Sequence, residues 1–228
     1  FQNQQFRVEY QPQVDAVDGS VAAVEALIAW DGRKQGMMTR ALFMRIMEEC
    51  GMIDDVFEWL LTSACSHCAA VMEQLGVQFR VAFGVPAALF RNAPKLQAVL
   101  QRSVAFARLD FRQIQLEIPE AVISDDIDSS LKTLRELRKQ GVTLVIDNFG
   151  MGFSSLRHLR RFRVDMINVD NSFVRDVLND ENDAAVTSAI IALAHQLDLK
   201  VLAEGVDSLQ HTQFLERYNW QKGSDTRS

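Results

Sequence analysis

Four carboxylates fall inside or at the ends of short apolar runs: Glu25 in Val24-Glu25-Ala26-Leu27, Glu117 in Leu116-Glu117-Ile118, Asp147 in Val145-Ile146-Asp147 and Glu204 in Leu202-Ala203-Glu204. A carboxylate in a buried strand is costly unless it is paired or bound to a cation. One such acid reads as half of an internal ion pair. Four of them at the loop-bearing ends of parallel strands would converge on one site. Clustered carboxylates repel unless a cation joins them, and an all-oxygen set favours Mg²⁺ or Mn²⁺. The competing reading keeps the acids as ion-pair partners of Arg and Lys inside the fold.

The elements that would carry these acids alternate. Apolar or β-branched runs occur at Phe6–Gln11, Val21–Trp30, Gln78–Phe83, Ile114–Ile118, Val142–Asp147, Met166–Asp170 and Leu199–Glu204, with helical periods between most of them. After Ser124, Ile127, Leu131 and Leu134 share a helical face, and Gly141 stands where that helix would end. After Asp180, Val186, Ile190 and Leu193 do the same. Strand and helix in alternation predict a parallel sheet, and seven strands without a Gly-rich nucleotide loop favour a (β/α) barrel over a doubly wound sheet. An eighth strand belongs after Leu215, where Asn219-Trp220-Gln221-Lys222-Gly223 supplies little of one. The last strand is therefore expected to be missing or degenerate.

Composition narrows the function classes. A net charge of −6 argues against a nucleic-acid polymer as partner. No apolar run reaches the roughly 20 residues that span a bilayer, so this segment is expected to make no membrane contact. The chain opens on Phe1, and residues 1–228 are read as a single domain of a longer multidomain protein. This segment is expected in the cytoplasm, even if the longer protein is membrane-anchored. Cys65-Ser66-His67-Cys68 has metal-like spacing, but it lies in the helical run Val56–Leu75 with no second ligand pair, and reads as helix packing.

At the acid-bearing runs the chain resembles the EAL domain family, from about Phe6 to Leu215. Tyr10-Gln11-Pro12 is similar to the family's opening strand motif. Glu25-Ala26-Leu27 is the signature triplet, with Trp30 at the family's spacing. Leu116-Glu117-Ile118-Pro119-Glu120 resembles the LEITE strand, and Phe149-Gly150-Met151-Gly152-Phe153-Ser154-Ser155-Leu156 the FGTGYSSL loop. Asp170-Asn171-Ser172-Phe173-Val174 is similar to IDxSFV, and Ala203-Glu204-Gly205-Val206-Asp207 to AEGVE. The resemblance implies a TIM-type (β/α)8 barrel with one antiparallel strand. It also implies metal-assisted hydrolysis of one phosphodiester bond of cyclic di-GMP to pGpG. Glu25, Glu117 and Asp147 match acidic metal ligands, and Glu204 a further site acid. Asp207 stands where the family has a Glu bound through water, and Gln11 and Leu27 match nucleotide contacts.

The departures from that pattern are concentrated in the site. Ala82 stands for the metal-binding Asn of the third strand, and Asn148 for the second acid of DDFG. Asn168 replaces the lysine that helps activate water, and Ala29 the arginine that grips phosphate. An amide carries no formal charge and a methyl group offers no donor. The tail at Trp220-Gln221-Lys222-Gly223-Ser224 also leaves the family's QGY segment. The sequence therefore points to a degenerate cyclic di-GMP phosphodiesterase, with Mg²⁺ or Mn²⁺ or no ion bound. It would serve as a protein-interaction or regulatory module or as a non-hydrolysing cyclic di-GMP receptor; the alternative is an active phosphodiesterase. A neighbouring sensor or GGDEF-type domain and a homodimer are the partners this implies. Arg157-His158-Leu159-Arg160-Arg161-Phe162-Arg163 is the most basic run and reads either as a solvated helix face or as a contact for a second copy or an acidic partner.

Overall fold

The β-branched runs become strands of one sheet. In the computed structural model, which describes residues 6–15, 18–30, 40–151, 156–206, 208–216 and 221–222, these are β1 (Phe6–Val14), β2 (Val21–Trp30), β3 (Arg80–Gly84), β4 (Ile114–Pro119), β5 (Thr143–Phe149), β6 (Met166–Val169), β7 (Lys200–Ala203) and β8 (Gln221–Lys222). They follow one another in chain order around a closed barrel. β1 runs antiparallel to both neighbours, and all other pairs are parallel. The fold is the expected TIM-type barrel with one antiparallel strand. Its last strand is present rather than missing: among the described residues, Gln221 and Lys222 bridge β7 and β1. The expectations for Gly152–Ser155, Asp207, Trp220, Gly223 and Ser224 concern positions outside the described residues.

The helices are α1 (Arg40–Glu49), α2 (Ile53–Leu75), α3 (Ala87–Arg91), α4 (Ala93–Ala107), α5 (Glu120–Asp125), α6 (Ile127–Gln140), α7 (Leu156–Phe162), α8 (Asn171–Arg175), α9 (Glu181–Gln196) and α10 (Leu209–Glu216). Their ends follow from local chemistry. Asp126 caps α6 by accepting from Ser129 N, and Gly141 ends it in the left-handed conformation at φ 94°. Asp180 caps α9 through the amides of Asn182 and Asp183.

Alternation along each strand separates two cores. Phe83, Leu116, Ile118, Ile146 and Ile167 belong to the large outer core, which also holds Phe57, Leu61 and Leu134 from α2 and α6. Val145, Met166 and Leu202 form a small separate cluster. Two residues further along the same three strands come Asp147, Asn168 and Glu204. The apolar cluster thus forms a floor, and the polar residues stand on it.

Cys65 and Cys68 pack in the outer core, as the sequence suggested. Burial pushes the Cys65 thiol up to about 12 and the Cys68 thiol up to about 11, so neither supplies thiolate near neutrality. Between them His67 Nδ1 meets the Tyr10 hydroxyl at 2.9 Å. A maleimide is expected to label exposed Cys50 within minutes and the buried pair only after unfolding, read by mass spectrometry. Rapid native labelling at all three cysteines would contradict this packing.

Candidate functional site

Barrel closure brings three acids together. Donor oxygens of Glu25 on β2, Glu117 on β4 and Glu204 just past β7 all lie within 4.8 Å of one another. Glu117 is 2% exposed and Glu25 9%. Burial, then the charges of Asp147 and Glu204, push the Glu117 carboxyl up to about 7. Three hard oxygen donors at this spacing fit one divalent cation of the Mg²⁺ or Mn²⁺ kind. Asp147 joins the cluster through Asn168 rather than through that triad.

Amide groups occupy the spaces between these acids. Asn168 is 2% exposed, and its Nδ2 donates to Asp147 Oδ1 and to Glu204 Oε1, both at 2.8 Å. Its Oδ1 has no hydrogen-bond partner among the described residues. Asn148, in the left-handed conformation at φ 53°, donates from Nδ2 to the other oxygen of Asp147 at 2.9 Å. Gln13 Nε2 and Gln115 Nε2 both donate to Glu117 Oε1, at 2.8 and 2.9 Å, and Gln115 also donates to Gln13 Oε1. Side-chain amides thus supply donors to the carboxylates without neutralising their charge.

β3 is the strand without a donor. Ala82 is fully buried and in register with Glu25, while Gly84 is in register with Glu117. Both positions facing the acids therefore lack a polar side chain. Sequence reasoning singled out Ala82 and passed over Gly84, because only strand register shows which residue stands level with which acid. A side chain at Gly84 would meet no atom within 4 Å of its Cβ, so space for a ligand exists there.

The antiparallel β1–β2 pair carries the remaining positions. Gln11 is paired with Glu25, Glu9 with Leu27 and Arg7 with Ala29, and antiparallel partners share a sheet face. Arg7, opposite Ala29, is held by Glu9, its Nη2 lying 2.6 Å from Glu9 Oε1. Gln13 and Gln115 were missed by sequence reading. Their signal was a glutamine two residues from Gln11 on a strand that alternates polar and apolar, and one two residues before Glu117 on an otherwise apolar strand. Glu120, which ends the LEITE-like stretch, had been given no role: it is 3% exposed, and its Oε2 accepts from Gly150 N, fixing the turn that follows Asn148. A Cβ at Gly150 would come within 2.9 Å of Ile190, so the turn needs glycine.

A profile of the EAL domain family matches residues 1–221. The chain belongs to the EAL domain family. Over 216 residues this EAL domain is 33% identical to the bifunctional diguanylate cyclase/cyclic di-GMP phosphodiesterase MucR of Pseudomonas aeruginosa. That alignment covers 95% of this chain and 31% of MucR, so the chain spans about a third of that relative's length. The solved PaMucR phosphodiesterase, in complex with c-di-GMP, superposes at a TM-score of 0.93 and 31% identity, covering 98% of this chain and 90% of that one. BlrP1 of Klebsiella pneumoniae, solved as a manganese and cy-diGMP complex, gives a TM-score of 0.82 at 25% identity over 98% of this chain and 55% of its own. This EAL domain thus shares its barrel with proteins solved bound to c-di-GMP. No helix among its described residues is long and apolar enough to cross a membrane.

Proposed function

We propose that this EAL domain does not hydrolyse cyclic di-GMP and acts in cyclic di-GMP signalling as a regulatory module of a longer multidomain protein. The observation that carries this reading is the replacement of charge by amide around intact acids. Asn168 lies between Asp147 and Glu204, where the resemblance calls for a lysine, and Asn148 stands beside Asp147 in place of a second acid. β3 adds no donor at Ala82 or Gly84. In this reading Glu25, Glu117 and Glu204 would hold one cation, Mg²⁺ or Mn²⁺, with Asp147 and Asp207 as further acids of the remnant site. Such a cation supplies Lewis-acid polarisation of a phosphoryl oxygen. What this chain's own residues no longer supply is the second set of ligands and the cationic partner near the attacking water.

The receptor form of this reading is favoured by Gln11 and Leu27, which keep the places of nucleotide contacts on the β1–β2 pair that carries Glu25. A neighbouring sensor or GGDEF-type domain would then receive the signal, in a homodimer or within one chain. The test is calorimetric titration of cyclic di-GMP with and without Mg²⁺, followed by chromatography for pGpG. Binding without product is expected for a receptor, and no binding for a purely protein-directed module. Metal-dependent pGpG at rates typical of phosphodiesterases would overturn both.

A further inference from the structure

The acids occupy one end of the barrel; the other end is basic. A cleft of about 1000 Å³ opens where β3, β5, β6 and β7 begin and α6, α7 and α9 end. Arg80, Arg138, Arg160, Arg163 and Lys200 line it, facing two acids, Asp165 and Asp198. That local excess of positive charge sits in a chain whose net charge is −6.

We propose that this cleft binds a small phosphate-bearing anion. Several arginines elsewhere on the surface are paired with carboxylates: Arg91 with Asp125, Arg102 with Glu58, Arg112 with Asp110 and Arg175 with Asp176. Here the side chains of Arg160, Arg163 and Lys200 make no hydrogen bond or ion pair among the described residues. Arg161, next in the same basic run, turns away to Asp128 at 3.7 Å. Arg138 donates to the main-chain carbonyl of Arg163, and both residues line the cleft. Arg80 is half-buried, donates its Nε to Gln115 Oε1 at 3.1 Å and lies within the field of the Asp165 carboxylate, while its Nη atoms make no hydrogen bond among the described residues. Asp165 is partly engaged already, since its Oδ2 accepts from Leu144 N at 2.8 Å.

Cations in the last turn of a helix are ordinary complements to its dipole. That explains Arg138 and Arg160 by their positions on α6 and α7. It does not explain Arg80 and Lys200, which begin strands. Guanidinium forks suit phosphate oxygens, and the cleft is at the upper end of the size range for small-molecule sites. A concave pocket of this size on an acidic protein does not suit a nucleic-acid polymer, which needs an extended basic face.

This proposal is independent of what the acidic end binds. The probe is inorganic pyrophosphate, titrated calorimetrically in EDTA so that no cation can hold it against the acids. One site per chain is expected, weakened at least tenfold in the double variant Arg160→Ala and Lys200→Ala. The same loss is expected with Arg163→Asn, a residue type tolerated at that left-handed position of φ 52°. These substituted side chains are exposed, and circular dichroism of each variant should match the parent. Absence of heat in the parent would overturn the proposal, as would equal affinity in the parent and in folded variants.

Discussion

With Asn168→Lys, Asn148→Asp and Gly84→Asn combined, the domain is expected to cleave cyclic di-GMP in Mn²⁺ at least about 10⁴-fold faster than the parent. Each electrostatic contributor to a transition state commonly carries about 10²–10³ in rate, and contributors that act as a unit do not add independently. The single exchanges are therefore expected to recover little. Each has a structural reason. A lysine at 168 would place an ammonium where the Asn168 amide now meets Asp147 and Glu204. An aspartate at 148 would replace the amide that Asp147 now accepts from. An asparagine at 84 enters open space in register with Glu117, whereas one at 82 would be forced into a fully buried position. Release of pGpG, followed by chromatography, is the readout. A triple variant that folds and binds nucleotide yet stays silent would show that the lost chemistry lies elsewhere.

In EDTA the parent is expected to lose stability between pH 5 and pH 8, and Glu117→Gln is expected to lose much less. The sign follows from proton linkage. The Glu117 carboxyl titrates at about 7 in the folded barrel against an ordinary 4.5, so the folded state binds the proton more tightly. Stability from this group is therefore full below the ordinary value and falls as pH rises to about 7, then levels off. The span corresponds to about 3 kcal/mol at most, shared with the acids coupled to it. Urea midpoints at the two pH values, parent against variant, read the difference directly. Added Mn²⁺ should restore the parent at pH 8, because a cation favours the ionised acids. Superimposable pH profiles for parent and Glu117→Gln would count against a strained acid at this position.

Much of this architecture is written in local signals. Asp180 and Gly141 mark helix ends by chemistry confined to a few neighbouring residues, and both function as caps in the barrel. The acids at Glu25, Glu117 and Glu204 were conspicuous because a carboxylate in an apolar run demands a partner. The rest depends on which strand stands level with which. Gly84 looked like a strand end until register placed it beside Glu117. Gln13 and Gln115 are 102 residues apart in sequence, and nothing local announces that one amide donates to the other. The polar tail gave no strand pattern, because Gln221 and Lys222, the described residues of β8, carry no apolar alternation.

That short strand sets where the barrel would yield. β4 and β5 share five paired positions, whereas among the described residues β8 pairs with β1 at Val14 and with β7 at Leu202 and Ala203. Among the described residues this seam carries the fewest paired positions of the barrel, and a pull across the sheet would load it first, as a sleeve strains at its fastening. Amide protons of β1 and β7 near the seam should exchange with solvent ahead of those in β4 and β5. The bared edges of β1 and β7 would then offer backbone donors and acceptors to any extended segment able to lie between them.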